Sequence, residues 1–211
     1  MEQVKLDEIT KFIGENKGKR KFKQSVELAI NFKGVDFNKQ DNKLNLEVSL
    51  PHGKGKVKKL AVFATDKNIL ESAQKLGIEV FDGNRLGEIA SDQVKLGTLL
   101  NYDLVAQQSL MPQIAKFLGQ FLGPRNKMPK PLLGNATLAT IANDMSKRIT
   151  IRTKGKNLPT VHCIVGSEDL EPQKIYENVN EVISSVTKKV GQNRIRSVYL
   201  KLSMSKPIKV M

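Results

Sequence analysis

The chain has no tryptophan, one cysteine, two histidines and no apolar run long enough to cross a bilayer. Each scarcity removes a class of function. A lone Cys163 cannot build an intrachain disulfide framework or a cysteine-rich zinc site, and it fits a reducing intracellular compartment. A spanning helix needs ~20 consecutive apolar residues, so none is expected, and the mixed polar opening MEQVKLDEIT does not read as a signal peptide. His52 and His162 fall in different segments, and Cys163 follows His162 in an alternating stretch that sends the two side chains to opposite faces. No Cys-His catalytic pair is expected, and Cys163 reads as a small buried apolar residue. Phosphate loops are missing too. Gly53-Lys54-Gly55-Lys56 lacks the Gly-x-x-x-x-Gly-Lys-Ser/Thr spacing, and the apolar run Leu60–Ala64 leads into Thr65-Asp66-Lys67-Asn68 instead of a glycine-rich turn. No cofactor or metal ion is expected, and the chain reads as a binder, not an enzyme.

Acidic residues are also in deficit: 35 Lys and Arg stand against 21 Asp and Glu, for a formal net charge of +14 and a pI near 9.8. Such a balance favours a polyanionic partner, nucleic acid ahead of a membrane surface. Three roles compete on these facts. An RNA binder would prefer RNA to duplex DNA, whereas a DNA-compacting architectural protein would not. An RNA-modifying enzyme would need a cofactor site, and the sequence offers none.

Hydrophobic periodicity organises the chain into two kinds of domain. Val4, Leu6, Ile9, Phe12 and Ile13 predict an amphipathic helix ending at Gly14 or Gly18. Residues 26–32 alternate as a strand with one buried face, and Leu44, Leu46, Val48 and Leu50 repeat that pattern. Leu60–Ala64 is instead continuously apolar, as in a strand covered on both sides. Strands and helices then alternate through 78–81, 103–106, a helix at 112–122, a helix capped by Asn135 or Thr137, and a strand at 149–152. A strand at 161–165, a helix carrying Ile175, Val179, Val182, Ile183, Val186 and Val190 on one stripe, and a strand bearing Val198, Leu200 and Leu202 complete the chain. Neither terminal piece has enough elements to close a core alone. The expected fold is therefore α+β and α/β: a discontinuous two-layer α+β domain (split β-α-β) at 1–57 plus 156–211, with an inserted Rossmann-like three-layer α/β domain at 58–155. The Gly- and Lys-rich crossings near 53–58 and 153–159 suggest a hinge.

Cations gather beside the one-faced strands. Lys19, Arg20, Lys21 and Lys23 precede the first, Lys154 and Lys156 lie at a crossing, and Arg194, Arg196, Lys201, Lys206 and Lys209 flank the last. Phosphate contacts of this kind position a protein without specifying sequence. Folded RNA is read through shape, 2′-hydroxyls and base edges, which calls for hydroxyls, a carboxylate and exposed apolar groups among the cations. Phe22, Ser25, Glu27, Ser203 and Met204 are of that kind. The same residues also fit plainer roles: Phe22 as a core anchor, Met204 as a strand-end filler, Glu27 as a solvated strand residue. A second cationic element runs from Phe121 to Pro131. Its prolines fix φ, Gly123 can adopt conformations closed to other residues, and Arg125, Lys127 and Lys130 have no acid among them.

Read from Met111 through Ile114, Leu118-Gly119 and Leu122-Gly123-Pro124 to Met128-Pro129, this segment resembles the characteristic motif of the large-subunit ribosomal protein L1 family, archaeal or eukaryotic type. Phe22, Ser25 and Glu27, and Arg196-Ser197-Val198-Tyr199 leading to Ser203-Met204-Ser205, match further family segments, so the resemblance covers nearly the whole chain. It implies that Lys21, Phe22, Lys23, Ser25, Glu27, Lys154, Lys156, His162, Ser203, Met204, Ser205 and Lys206 form a surface for large-subunit ribosomal RNA. His162 equally fits a histidine satisfied by backbone. The resemblance further implies attachment at the mobile stalk near the tRNA exit site, with Arg125 and Lys127 facing departing exit-site tRNA and assisting its release. It also implies repression of translation through a similar fold in the protein's own mRNA. A cytoplasmic, ribosome-associated protein, monomeric when free, is expected. Ser205 stands where the family commonly has Gly, which leaves the backbone approach to RNA at that turn open.

Overall fold

The computed structural model describes residues 6–37, 39, 42–55, 59–132, 137–153 and 158–211. Along the chain run α1 (Leu6–Asn16), β1 (Ser25–Phe32), β2 (Asn45–Ser49), β3 (Leu60–Ala64), α2 (Lys67–Lys75), β4 (Glu79–Asp82), α3 (Leu86–Ser91), α4 (Gln93–Leu99) and β5 (Asp103–Gln107). There follow α5 (Met111–Leu122), β6 (Lys130–Leu132), α6 (Leu138–Lys147), β7 (Arg148–Arg152), β8 (Thr160–Ser167), α7 (Pro172–Val190), β9 (Ile195–Leu202) and β10 (Ile208–Lys209). Two compact units result, unit 1 from Met1–Lys56 with Ser146–Met211 and unit 2 from Val57–Met145.

Unit 1 is built on an antiparallel sheet in the order β10-β9-β1-β8. β1 is buried at every second residue, and Val26, Leu28, Ile30 and Phe32 face the core. Ile9, Phe12 and Ile13 of α1 and Ile175, Val179, Val182 and Val186 of α7 complete that core. Spacings of three and four bring each helix's apolar residues onto one stripe. α7 begins with Pro172 and ends at Gly191, whose φ of 90° stops the helix. β2 pairs antiparallel with β7 and adds Val48, Ile149 and Ile151 to the same core. This corrects the expectation that 149–152 belongs to the middle layer and that the return crossing falls at 153–159. β7 is buried at alternate residues only, the mark of a one-faced antiparallel partner and not of a strand in a covered parallel sheet.

Unit 2 has a four-stranded, wholly parallel sheet in the order β4-β3-β5-β6. Ala61 and Phe63 of β3 face one cluster with Leu86, Leu99, Ile114, Leu118 and Leu122, while Val62 and Ala64 face a second with Ala73 and Leu138. Burial on both faces explains the continuous apolar run. Of the two cap candidates for α6, Thr137 takes the part, its Oγ1 accepting from Thr140 N at 3.4 Å; Asn135 lies outside the described residues. β6 falls within the segment expected to be loop. Pro131 is accommodated there because β6 is an edge strand, pairing on one side with β5.

Candidate nucleic-acid interface

The outward side chains of unit 1's larger sheet form rows that its register fixes. Lys201 and Ile164 flank Glu27, Tyr199 and His162 flank Ala29, and Ser197 and Thr160 flank Asn31. The last row is closed on itself. Asn31 donates from Nδ2 to Ser197 Oγ at 3.0 Å and accepts at Oδ1 from Thr160 Oγ1 at 2.9 Å. The first row sets a carboxylate opposite a lysine across strands, with Lys201 Nζ donating to Ser203 O at 3.3 Å, and leaves Ile164 43% exposed.

At the Glu27 end of the sheet, the segment leading into β1 meets the turn that follows β9. Ser203 N donates to Ser25 O at 3.1 Å, and Ser25 N donates to Ser203 Oγ at 3.2 Å. Met204 N donates to Gln24 Oε1 at 3.2 Å. Phe22 and Met204 are left outside at 51% and 58% exposure, so neither is a core anchor or a filler. Between the two segments opens a groove of about 390 Å³, with Asn16, Gln24, Met204 and Ser205 on its walls and Lys19, Arg20 and Lys206 supplying charge. Lys23 is bound to Asp169 at 2.7 Å, and the hydrogen bond and charge of that carboxylate hold its ammonium above the ordinary lysine value. An anionic partner at Lys23 would have to compete with the Asp169 carboxylate.

Ser205 is accommodated within its own turn. Positive φ among the described non-glycine residues occurs at Asn126 alone, so Ser205 carries no left-handed strain. Its Oγ accepts from Leu202 N at 2.9 Å, while its own N–H donates to Leu202 O at 3.1 Å. The hydroxyl thus closes the turn.

The structure brings Lys21, Phe22, Lys23, Ser25, Glu27, Ser203, Met204, Ser205 and Lys206 to one end of the sheet. His162 is exposed on the same outer face, one row away from Glu27. Lys154 and Lys156 lie outside the described residues. Sequence reasoning passed over Ile164, although the inward alternation of its neighbours places it outside. It also missed Gln24 and Glu168, buried at 1% and 5% exposure, for which local pattern gives no signal.

The cationic element of unit 2 is more ordered than its composition suggests. Asn126 N donates to Gly123 O and Lys127 N to Leu122 O, both at 2.9 Å, with Asn126 at φ 56°. This is a Schellman-type helix end with asparagine as the left-handed residue. Gly123, expected to supply the unusual conformation, stays helical at φ −58°. The Arg125 guanidinium lies 4.0 Å over the Phe121 ring and donates to Phe121 O at 2.9 Å. Lys127 turns inward. Its Nζ donates to Tyr102 O at 2.9 Å and pairs with Asp103 at 3.3 Å, which fastens the loop to the start of β5.

Among the described residues no group of three or more His, Cys, Asp or Glu could hold a metal ion, and no helix is long and apolar enough to cross a membrane. The profile of the Ribosomal protein L1p/L10e family matches residues 10–206. The chain is 40% identical to the "Large ribosomal subunit protein uL1" of Thermococcus kodakarensis, over 99% of this chain and 98% of that one. It is 41% identical to the protein of the same name from Pyrococcus abyssi, covering 90% and 88%, and 34% identical to that of Methanothermobacter thermautotrophicus, covering 99% and 100%. With the profile and these relatives matching over nearly the whole length, the chain belongs to the Ribosomal protein L1p/L10e family.

Proposed function

We propose that this protein is a structural component of the large ribosomal subunit, cytoplasmic and ribosome-associated, that binds ribosomal RNA through the Glu27 end of unit 1's open sheet. One observation carries the reading: Phe22 and Met204, both exposed apolar groups, stand beside Ser25, Glu27 and Ser203 amid Lys19, Arg20, Lys21 and Lys206. Cations supply phosphate affinity, Phe22 and Met204 pack on sugar or base faces, and Glu27 accepts from a guanine edge or a 2′-hydroxyl. The names of the relatives support the ribosomal setting.

The finer reading follows the family resemblance. The protein sits on the mobile stalk near the tRNA exit site, where unit 2 presents Arg125 to departing tRNA and assists its release; Lys127 belongs to the loop's anchorage. The same surface binds a similar RNA fold in the protein's own mRNA and represses its translation, and the affinity difference between the two RNAs sets the regulation. No catalytic step is involved.

Binding to a ribosomal stalk RNA fragment across a salt series, beside scrambled RNA and duplex DNA, tests this. The stalk fragment should be preferred by ~10³ or more, with the preference lost in folded Met204→Ala or Glu27→Ala protein. Equal affinities falling together with salt would transfer the case to charge-driven architectural binding.

A further inference from the structure

We infer that Gln24 is a positioning residue for the RNA surface: its buried side chain, gripped by Glu168, sets the backbone at Met204 and so couples the two segments that present Phe22 and Met204. The inference rests on the RNA-binding reading above.

Gln24 is 1% exposed and offers RNA almost nothing itself. Both ends of its amide are engaged, however. Nε2 donates to Asn16 O at 3.3 Å and to Glu168 Oε2 at 3.2 Å, while Oε1 accepts from Met204 N at 3.2 Å. The amide's orientation is fixed by its partners, because a carbonyl and a carboxylate only accept and a backbone N–H only donates. Its main-chain oxygen accepts from Glu168 N at 3.0 Å, and the next residue of that turn, Asp169, holds Lys23. Four segments therefore converge on one side chain: the end of α1, the start of β1, the turn between β8 and α7, and the turn after β9. Gln24 follows Phe22 and Lys23 directly in the chain, so a change in its seating displaces those residues and Met204 together.

A swap of partners separates positioning from mere support. Gln24→Glu alone sets two carboxylates against each other in a buried site, which disfavours the pairing. Adding Glu168→Gln restores the pairing of 24 with 168, since a glutamate at 24 can accept from the new amide and from Met204 N and the net charge returns to that of the parent; the donation to Asn16 O is not restored, so the recovery is partial. Measurements needed are affinity for stalk RNA and for duplex DNA, the amide and methyl resonances of Met204 in the free protein, and the melting temperature. Gln24→Glu and Gln24→Ala should each weaken stalk RNA binding by ~10-fold or more, in line with loss of a buried hydrogen bond. Duplex DNA affinity of Gln24→Ala and of the double variant, which keep the parent's net charge, should stay within about twofold, because the phosphate-neutralising cations remain. The Met204 resonances should move with the affinity, and the double variant should recover much of both relative to Gln24→Glu. In a Met204→Ala background Gln24→Ala should add little, as expected of residues acting as a unit.

Variants that melt lower yet bind stalk RNA as the parent does, or losses that simply add to that of Met204→Ala, would overturn the inference and leave Gln24 a packing residue. If Gln24→Ala does not fold, recovery in the swapped pair still decides. A parent protein without preference for stalk RNA would overturn the RNA-binding reading itself; parental preference with unchanged Gln24→Glu affinity would overturn the inference alone.

Discussion

Unit 1 and unit 2 differ in what their sheets keep for partners. In unit 1, burial along β1 alternates strictly, and α1 and α7 supply the apolar cover for its inner face. The outer face retains Glu27, Tyr199, Lys201 and His162. In unit 2, β3 is buried at four consecutive residues and β5 at three, so both faces are consumed by packing. Its surface chemistry is displaced to a helix end, where Arg125 stacks on Phe121 and Lys116 approaches the 46% exposed Phe117. A covered parallel sheet is a scaffold, whereas a one-faced antiparallel sheet is both scaffold and surface.

If the units have separate cores, truncating one should loosen it alone, and Cys163 reports which. The thiol is buried and pushed up to about 12 by desolvation, so alkylation requires unit 1 to open. Leu28 is buried at 0% exposure directly across from Cys163. Leu28→Ala should destabilise unit 1 by ~2–5 kcal/mol and speed Cys163 labelling by orders of magnitude. Phe63→Ala, a comparable loss of ~3–5 kcal/mol in unit 2, should leave labelling nearly unchanged. Equal acceleration by both variants would join the units into one cooperative block and break the comparison.

Glycines sharpen it at smaller amplitude. Gly55 in unit 1 has φ 72°, and a Cβ there would meet Ser167 Oγ and Leu170; Gly97, inside α4 of unit 2, would meet nothing within 4 Å. Gly55→Ala should therefore destabilise by ~1–3 kcal/mol, and Gly97→Ala should stabilise by ~0.5–1 kcal/mol. Denaturant midpoints of the two variants check both signs, and a neutral Gly55→Ala would show that the turn relaxes freely.

Much of this difference is legible as period. Alternation at Val26, Leu28 and Ile30 against the unbroken Leu60–Ala64 run distinguishes a one-faced strand from a covered one by residue order alone. Ile149 and Ile151 carry the same alternating signal, but their position in the chain, directly after the helix and strand alternation of the middle segment, points to the wrong layer for β7. The sheet end is legible because its residue types are unusual beside strands: an exposed phenylalanine, methionine and glutamate among lysines. Gln24 and Glu168 are not legible, because their role comes from a contact across 144 positions that no local pattern encodes. Lys127 misleads for a related reason. Its partner Asp103 is remote in sequence, and no acid falls between Asp103 and Asp144 to mark the loop as internally paired.

The smallest expected effect concerns two solvent-accessible contacts of unit 1, which act at opposite ends of the pH scale. The hydrogen bond from the His52 ring, with a further one from Gln173, holds the Glu177 carboxyl below its usual 4.5. A depressed acid contributes stability above its unfolded value and loses it as pH falls through the folded one. Lys23, raised above 10.5 by Asp169, does the reverse: its contribution is present below 10.5 and disappears as pH rises beyond the folded value. Thermal midpoints of the parent and Glu177→Gln should therefore differ at neutral pH and converge below 4.5, while those of the parent and Lys23→Met converge in strong alkali. Both contacts reach solvent, so 1 M salt, with a screening length of ~3 Å, should shrink the differences. A Glu177→Gln difference that persisted unchanged into acid would mean that the contact stabilises through its hydrogen bond and packing, with no share from the carboxylate's charge.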